Sequence, residues 1–163
     1  MSSQTTLDTY ALKKRKSPSS SLDEVKTPSI KVPQGVCLKV DSLRPLYPNL
    51  RAWCQVKGHV RVTRQGRVFV KEKDGSSTLF FYKASEWANP FKVQDWGADK
   101  CGPLYEAHLK TLLKDEATKQ RFLTLKNATH LGCFCIPGAK CHRDIILKTL
   151  KDLLEKEALV PPV

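Results

Sequence analysis

Acidic residues are what this sequence has too few of: 16 Asp and Glu stand against 28 Lys and Arg, a formal charge of +12 over 163 residues. That imbalance favours nucleic acid, nucleotides or an acidic protein as partner over a neutral substrate. No stretch approaches the roughly 18 uninterrupted apolar residues that a bilayer demands, so no membrane association is expected. The opening residues also lack the apolar stretch of a secretory signal. The six Cys are therefore expected as reduced thiols or metal ligands in the nucleus or cytoplasm, not as a disulfide framework. Two ordinary domains do not fit either, because one core organises roughly 100 to 150 residues. There is no internal repeat. Three Trp, four Tyr and six Phe supply enough hydrophobic mass to exclude wholesale disorder.

Residues 1–34 are dense in Ser, Thr, Pro and Lys without any sustained period, which predicts a disordered basic tail; residues 35–160 read as a single compact α/β domain. The tail holds six basic and three acidic residues, so +3 of the charge lies there and +9 in the remainder. Residues 35–50 read as a short extended segment and a turn-rich connection punctuated by Pro45 and Pro48. Strands are expected within 55–64, 66–74 and 77–87, with Asp74-Gly75 as the hairpin signal between the last two. The unbroken run Leu79, Phe80, Phe81, Tyr82 predicts a central strand, or one covered on both faces. Helical spacing follows over 104–117, with Pro103 in the first turn, and 117–127 continues as a second helix or a bend. The last segment reads as a short strand, a turn at Pro137-Gly138, and a helix with Ile145, Ile146, Thr149, Leu150, Leu153 and Leu154 along one side. The fold class is α/β, a small mixed or antiparallel-rich sheet packed by C-terminal helices.

Cys133, Cys135, Cys141 and His142 put three thiols and an imidazole within ten residues. That is the inventory of a four-ligand zinc site. The spacing C-x-C-x5-C-H is less persuasive, because adjacent Cys141 and His142 do not naturally point together and the usual C-x2-C knuckle is missing. The same residues would also serve as a strand-to-helix junction that packs compact thiols, with Lys140, His142 and Arg143 favouring an anion or nucleotide at the helix terminus. Cys37, Cys54 and Cys101 have no metal spacing and read as ordinary thiols. Tyr47 and Trp53 read as core or edge packing.

Several of these residues fall into a wider pattern: Val68 to Val70 near Arg64 and Arg67; Ser85-Glu86-Trp87-Ala88-Asn89-Pro90-Phe91; Tyr105; and Leu131, Cys133, Cys135, Pro137, Cys141, His142 and Asp144. Over roughly residues 60–150 the chain resembles a domain family of unknown function found in bacteria, phages and large DNA viruses. The family pattern often has Gly where Arg143 stands here. The resemblance implies a compact α/β domain with a shared pocket and no set reaction, and extends the expected setting to a virus-infected host cell.

The Trp87 loop has two readings. As a ligand pocket, Trp87 and Phe91 stack a base, Asn89 reads its edge, Glu86 binds a ribose hydroxyl or moves a proton, and Lys140 and Arg143 receive phosphate. As structure, Asn89 caps a turn before Pro90, the rings close the sheet and Glu86 faces solvent. Arg61, Arg64, Arg67, Lys71 and Lys73 occur around the predicted hairpin, where a basic ribbon would touch successive phosphates or merely be a solvated face.

In the tail, Gln4, Leu7 and Tyr10 fit the sliding-clamp-binding peptide Q-x-x-[LIM]-x-x-[FY]-[FY], with Ala11 in place of the second aromatic. Lys13, Lys14, Arg15 and Lys16 follow, suited to nuclear import or contact with an acidic clamp. Three functions compete. The first is a DNA-metabolism accessory protein that binds a clamp through the tail and nucleic acid or nucleotide through the domain. The second is a small nucleotide-processing enzyme in which Glu86, Cys141, His142 or Asp144 supplies proton chemistry. The third is a structural zinc-binding interaction module.

Overall fold

A computed structural model describes residues 29–135 and 140–159. The clamp-like peptide, the basic block Lys13 to Lys16 and the Pro137-Gly138 turn lie outside those residues. Among the described residues no helix is long and apolar enough to cross a membrane.

The fold is a small mixed α/β arrangement built on two sheets. Three parallel strands run in the order β1 (Gln34–Cys37), β5 (His130–Cys133), β2 (His59–Arg61), with Gly132 opposite both Val36 and Arg61. Parallel neighbours require long crossovers. Short helices α1 (Val40–Leu43) and α2 (Leu50–Cys54) connect β1 to β2, and α2 starts where Asn49 Oδ1 accepts the Ala52 N–H at 2.9 Å. From β2 the chain makes an antiparallel ribbon, β3 (Gly66–Lys71) with β4 (Ser77–Tyr82), and then runs through α3 (Val93–Trp96), α4 (Ala98–Leu112) and α5 (Glu116–Leu123) before returning as β5. The last helix is α6 (His142–Leu159).

Side chains alternate across a strand, and β5 uses both of its faces. Leu131 and Cys133 enter a core with Val62, Trp87, Tyr105, Leu109, Phe122, Ile146 and Leu150, which belongs to the helical side. Gly132 faces the other way, against Leu38 and Trp53, in a second core where Leu43, Leu50, Val68, Phe80 and Tyr82 join them. The parallel sheet is thus a middle layer between α4–α6 on one side and α1, α2 and the ribbon on the other.

Three local expectations change. Beyond the expected extended segment, which is the strand β1 and ends at Cys37, the turn-rich connection holds the helix α1. Helix α4 begins at Ala98, so Pro103 is inside it rather than in its first turn. Its missing N–H spares a carbonyl close to the exposed start of the helix, where the loss is tolerated. The run Leu79 to Tyr82 is not a central strand: among the described residues β4 pairs only with β3, and Phe69 and Phe81 are exposed on the ribbon's outer side. Unbroken apolarity there reflects bare rings on a wet face rather than burial on both faces. The hairpin follows its turn residues: Gly75 has a φ of 84° and Asp74 Oδ1 accepts the Ser76 N–H at 2.9 Å.

Candidate metal centre

At the carboxyl end of a parallel strand the chain leaves the sheet, and crevices open there beside the neighbouring strands. Strand β5 ends on Cys133, whose side chain faces the helices; Cys135 follows two residues on, and α6 begins at His142. Cys141 stands just before the helix, its carbonyl accepting the Asp144 N–H at 3.0 Å. The break in backbone direction at a helix start lets two adjacent side chains converge, which the spacing alone argued against.

The four candidate ligand atoms lie within 4.8 Å of one another. Cys133 Sγ is 3.4 Å from Cys135 Sγ and 3.6 Å from His142 Nδ1. Zinc bonds of about 2.3 Å to sulfur and 2.0 Å to nitrogen in a tetrahedron separate two sulfurs by about 3.8 Å and sulfur from nitrogen by about 3.5 Å, so small shifts bring this cluster to zinc geometry. The tautomer is set from outside. His142 Nε2 lies 2.7 Å from the Val62 carbonyl oxygen, which can only accept; Nε2 therefore carries the proton and Nδ1 presents its lone pair to the thiols. The Tyr105 ring meets the imidazole edge-on with centroids 5.3 Å apart, and Tyr105 Oη donates to the Trp87 carbonyl at 2.8 Å. The tryptophan loop thereby braces the histidine at one remove.

Electrostatics point the same way. The hydrogen bond from Cys133, then that from Cys141, and after them the nearby Arg143 charge, hold the Cys135 thiol well below its ordinary range. The same bonds to Cys135 and Cys141, reinforced by burial, push the Cys133 thiol up. A divalent ion bound here would be held by Cys133, Cys135, Cys141 and His142, and the thiols would give up their protons to it.

The other expected site residues part company. Asn89 and Phe91 line a cleft of about 720 Å³ together with Arg64, Tyr82, Lys140, Cys133, Cys135 and His142. Asn89 Oδ1 also accepts the Phe91 N–H at 2.9 Å, a local turn. Trp87 is buried, its ring against Phe122 at 5.1 Å. The Glu86 carboxylate pairs with Arg121 at 2.7 Å on the exterior. Arg143 turns under β1, where a Cβ on Gly35 would fall 2.7 Å from its Nε, and pairs with Asp144 at 2.9 Å. Arg61 is held inside the fold by Thr63 Oγ1, the Lys83 carbonyl and the face of Tyr82. Arg64, Arg67, Lys71 and Lys73 are exposed. The Val62 carbonyl is the participant that sequence reasoning missed, and a backbone atom leaves no residue-type signal.

A family model described as "Domain of unknown function (DUF4326)" matches residues 48–152, well over half of the chain. The chain belongs to this family. The DUF4326 match contains all four cluster residues, the tryptophan loop and Tyr105, while β1 and α1 lie ahead of it. Among the curated proteins and the solved structures nothing matches the chain.

Proposed function

We propose that the domain is a zinc-ordered interaction module in which Cys133, Cys135, Cys141 and His142 hold one zinc ion. The observation that carries this is the bond from His142 Nε2 to the Val62 carbonyl, which aims Nδ1 at three thiols. Four protein ligands close the coordination sphere and fit a structural rather than a catalytic ion. Elemental analysis of untagged protein should find one zinc per chain. Cobalt substitution should give the absorption of a tetrahedral thiolate site, lost in Cys133→Ser. Absence of metal together with failure to take up cobalt would reject the reading.

On this scaffold the module serves nucleic-acid metabolism. The support is the row of exposed Arg64, Arg67, Lys71 and Lys73 and the +9 outside the tail. The tail peptide Gln4, Leu7 and Tyr10 would recruit a sliding clamp. Titration of labelled tail peptide against the clamp tests that half, and equal weak binding by a Leu7/Tyr10 double substitution removes it. The cleft beside the cluster favours a second reading, a nucleotide site with Phe91 against the base and Arg64 or Lys140 on phosphate. Stabilisation by one mononucleotide but not by oligonucleotides would select it.

A further inference from the structure

The outer face of the β3–β4 ribbon departs from an ordinary solvated surface. Directly opposed residues of an antiparallel pair share a face. Here the pairs are Arg67 with Phe81, Phe69 with Leu79 and Lys71 with Ser77. Phe69 is 77% exposed and Phe81 66%, and they hold diagonal positions on this face. Two bare phenylalanines on one sheet face carry a hydration penalty that packing does not relieve.

Cations frame the rings. Arg67 and Lys71 share the face, Lys83 follows β4 directly, and all three are exposed. Among the described residues none of these cations makes an ion pair. The three carboxylates closest by sequence are engaged elsewhere: Glu72 with Arg51 and Thr78, Asp74 with Ser76, and Glu86 with Arg121. The inner face cannot exchange with the outer one, because Val68, Phe80 and Tyr82 pack on the Trp53 core. The rings are held outward by the register itself.

We infer that this face is a binding platform for single-stranded nucleic acid, with Phe69 and Phe81 stacking two successive bases and Arg67, Lys71 and Lys83 contacting the phosphates. The inference rests on the nucleic-acid reading above and narrows its class. A duplex keeps its bases stacked inside and offers these rings nothing, whereas an unpaired strand presents π-faces of any sequence. An acidic protein would satisfy the cations and leave the rings without a matched partner.

Fluorescence anisotropy on the full zinc-loaded chain, with an unstructured pyrimidine oligonucleotide of about 12 nucleotides and a duplex of equal length, tests this. Single strands should bind more tightly than duplex. Phe69→Ala and Phe81→Ala should each weaken single-strand binding about tenfold while leaving duplex binding and thermal stability unchanged, and tryptophan at either position should restore it. Three phosphate contacts imply about a twentyfold loss of affinity between 50 and 200 mM salt. Wild-type single-strand affinity in the Phe69/Phe81 double alanine variant, or preference for duplex, would overturn the platform while the nucleic-acid reading stands. No binding of either oligonucleotide at low salt would overturn both.

Discussion

Gly132 is where β5 packs tightly on the Leu38 and Trp53 core. A Cβ there would lie 2.5 Å from Leu38 Cδ2 and 2.7 Å from Trp53 Cη2, and both side chains are fully buried, so neither can withdraw toward solvent. Overpacking of this kind costs about 1–3 kcal/mol. Gly132→Ala should lower the urea midpoint correspondingly with an unchanged m-value. Tyr105 acts through both ends of its side chain. Burial pushes its phenol well above the usual value of about 10, so the folded protein keeps the proton at a pH where the unfolded chain has lost it. Its contribution is complete below pH 10 and is lost as pH rises beyond that value. Tyr105→Phe should cost about 1–2 kcal/mol at neutral pH, because the Trp87 carbonyl loses its donor, and should flatten the alkaline fall in stability. Denaturation curves from pH 7 to 11 separate the two effects.

At the scale of elements, Arg61 links the parallel sheet to the end of the ribbon. Its Nε donates to Thr63 Oγ1 at 2.9 Å, a terminal nitrogen reaches the Lys83 carbonyl, and the guanidinium lies 4.4 Å from the Tyr82 ring centroid. Arg61→Gln should loosen that link by about 1–2 kcal/mol. Hydrogen exchange should then quicken about tenfold in β3 and β4 while α4 to α6 keep their protection; uniform acceleration would show the link to be global instead. Element legibility tracked local chemistry. Asp74-Gly75 announced the hairpin because a positive φ favours glycine. The start of α4 was misplaced because Ala98 to Gly102 carry little apolar periodicity, and what sets that start is Gly97, whose φ of 81° ends α3.

For the molecule as a whole, the cluster ties the end of the central strand to the start of the last helix, and Cys133 and Cys141 are themselves members of the helix-side core. Removing the proposed zinc should therefore loosen the domain cooperatively rather than free one loop. Chelation is expected to lower Tm by about 10 °C or more and re-addition to restore it, with Cys133→Ser resembling the chelated protein. An unchanged Tm after verified zinc removal would mean that the ion is not structural. The ligand inventory, the hairpin, the division of charge between +3 and +9 and the family pattern were legible in the amino-acid sequence, because each is a matter of residue type and short spacing. Tertiary structure alone decided that β5 lies between β1 and β2, that adjacent Cys141 and His142 converge, that Trp87 faces the core and that Phe69 and Phe81 face water. The decisive bond joins His142 to a carbonyl 80 residues earlier. Parallel pairing brings those atoms together, and no local stretch of sequence records it.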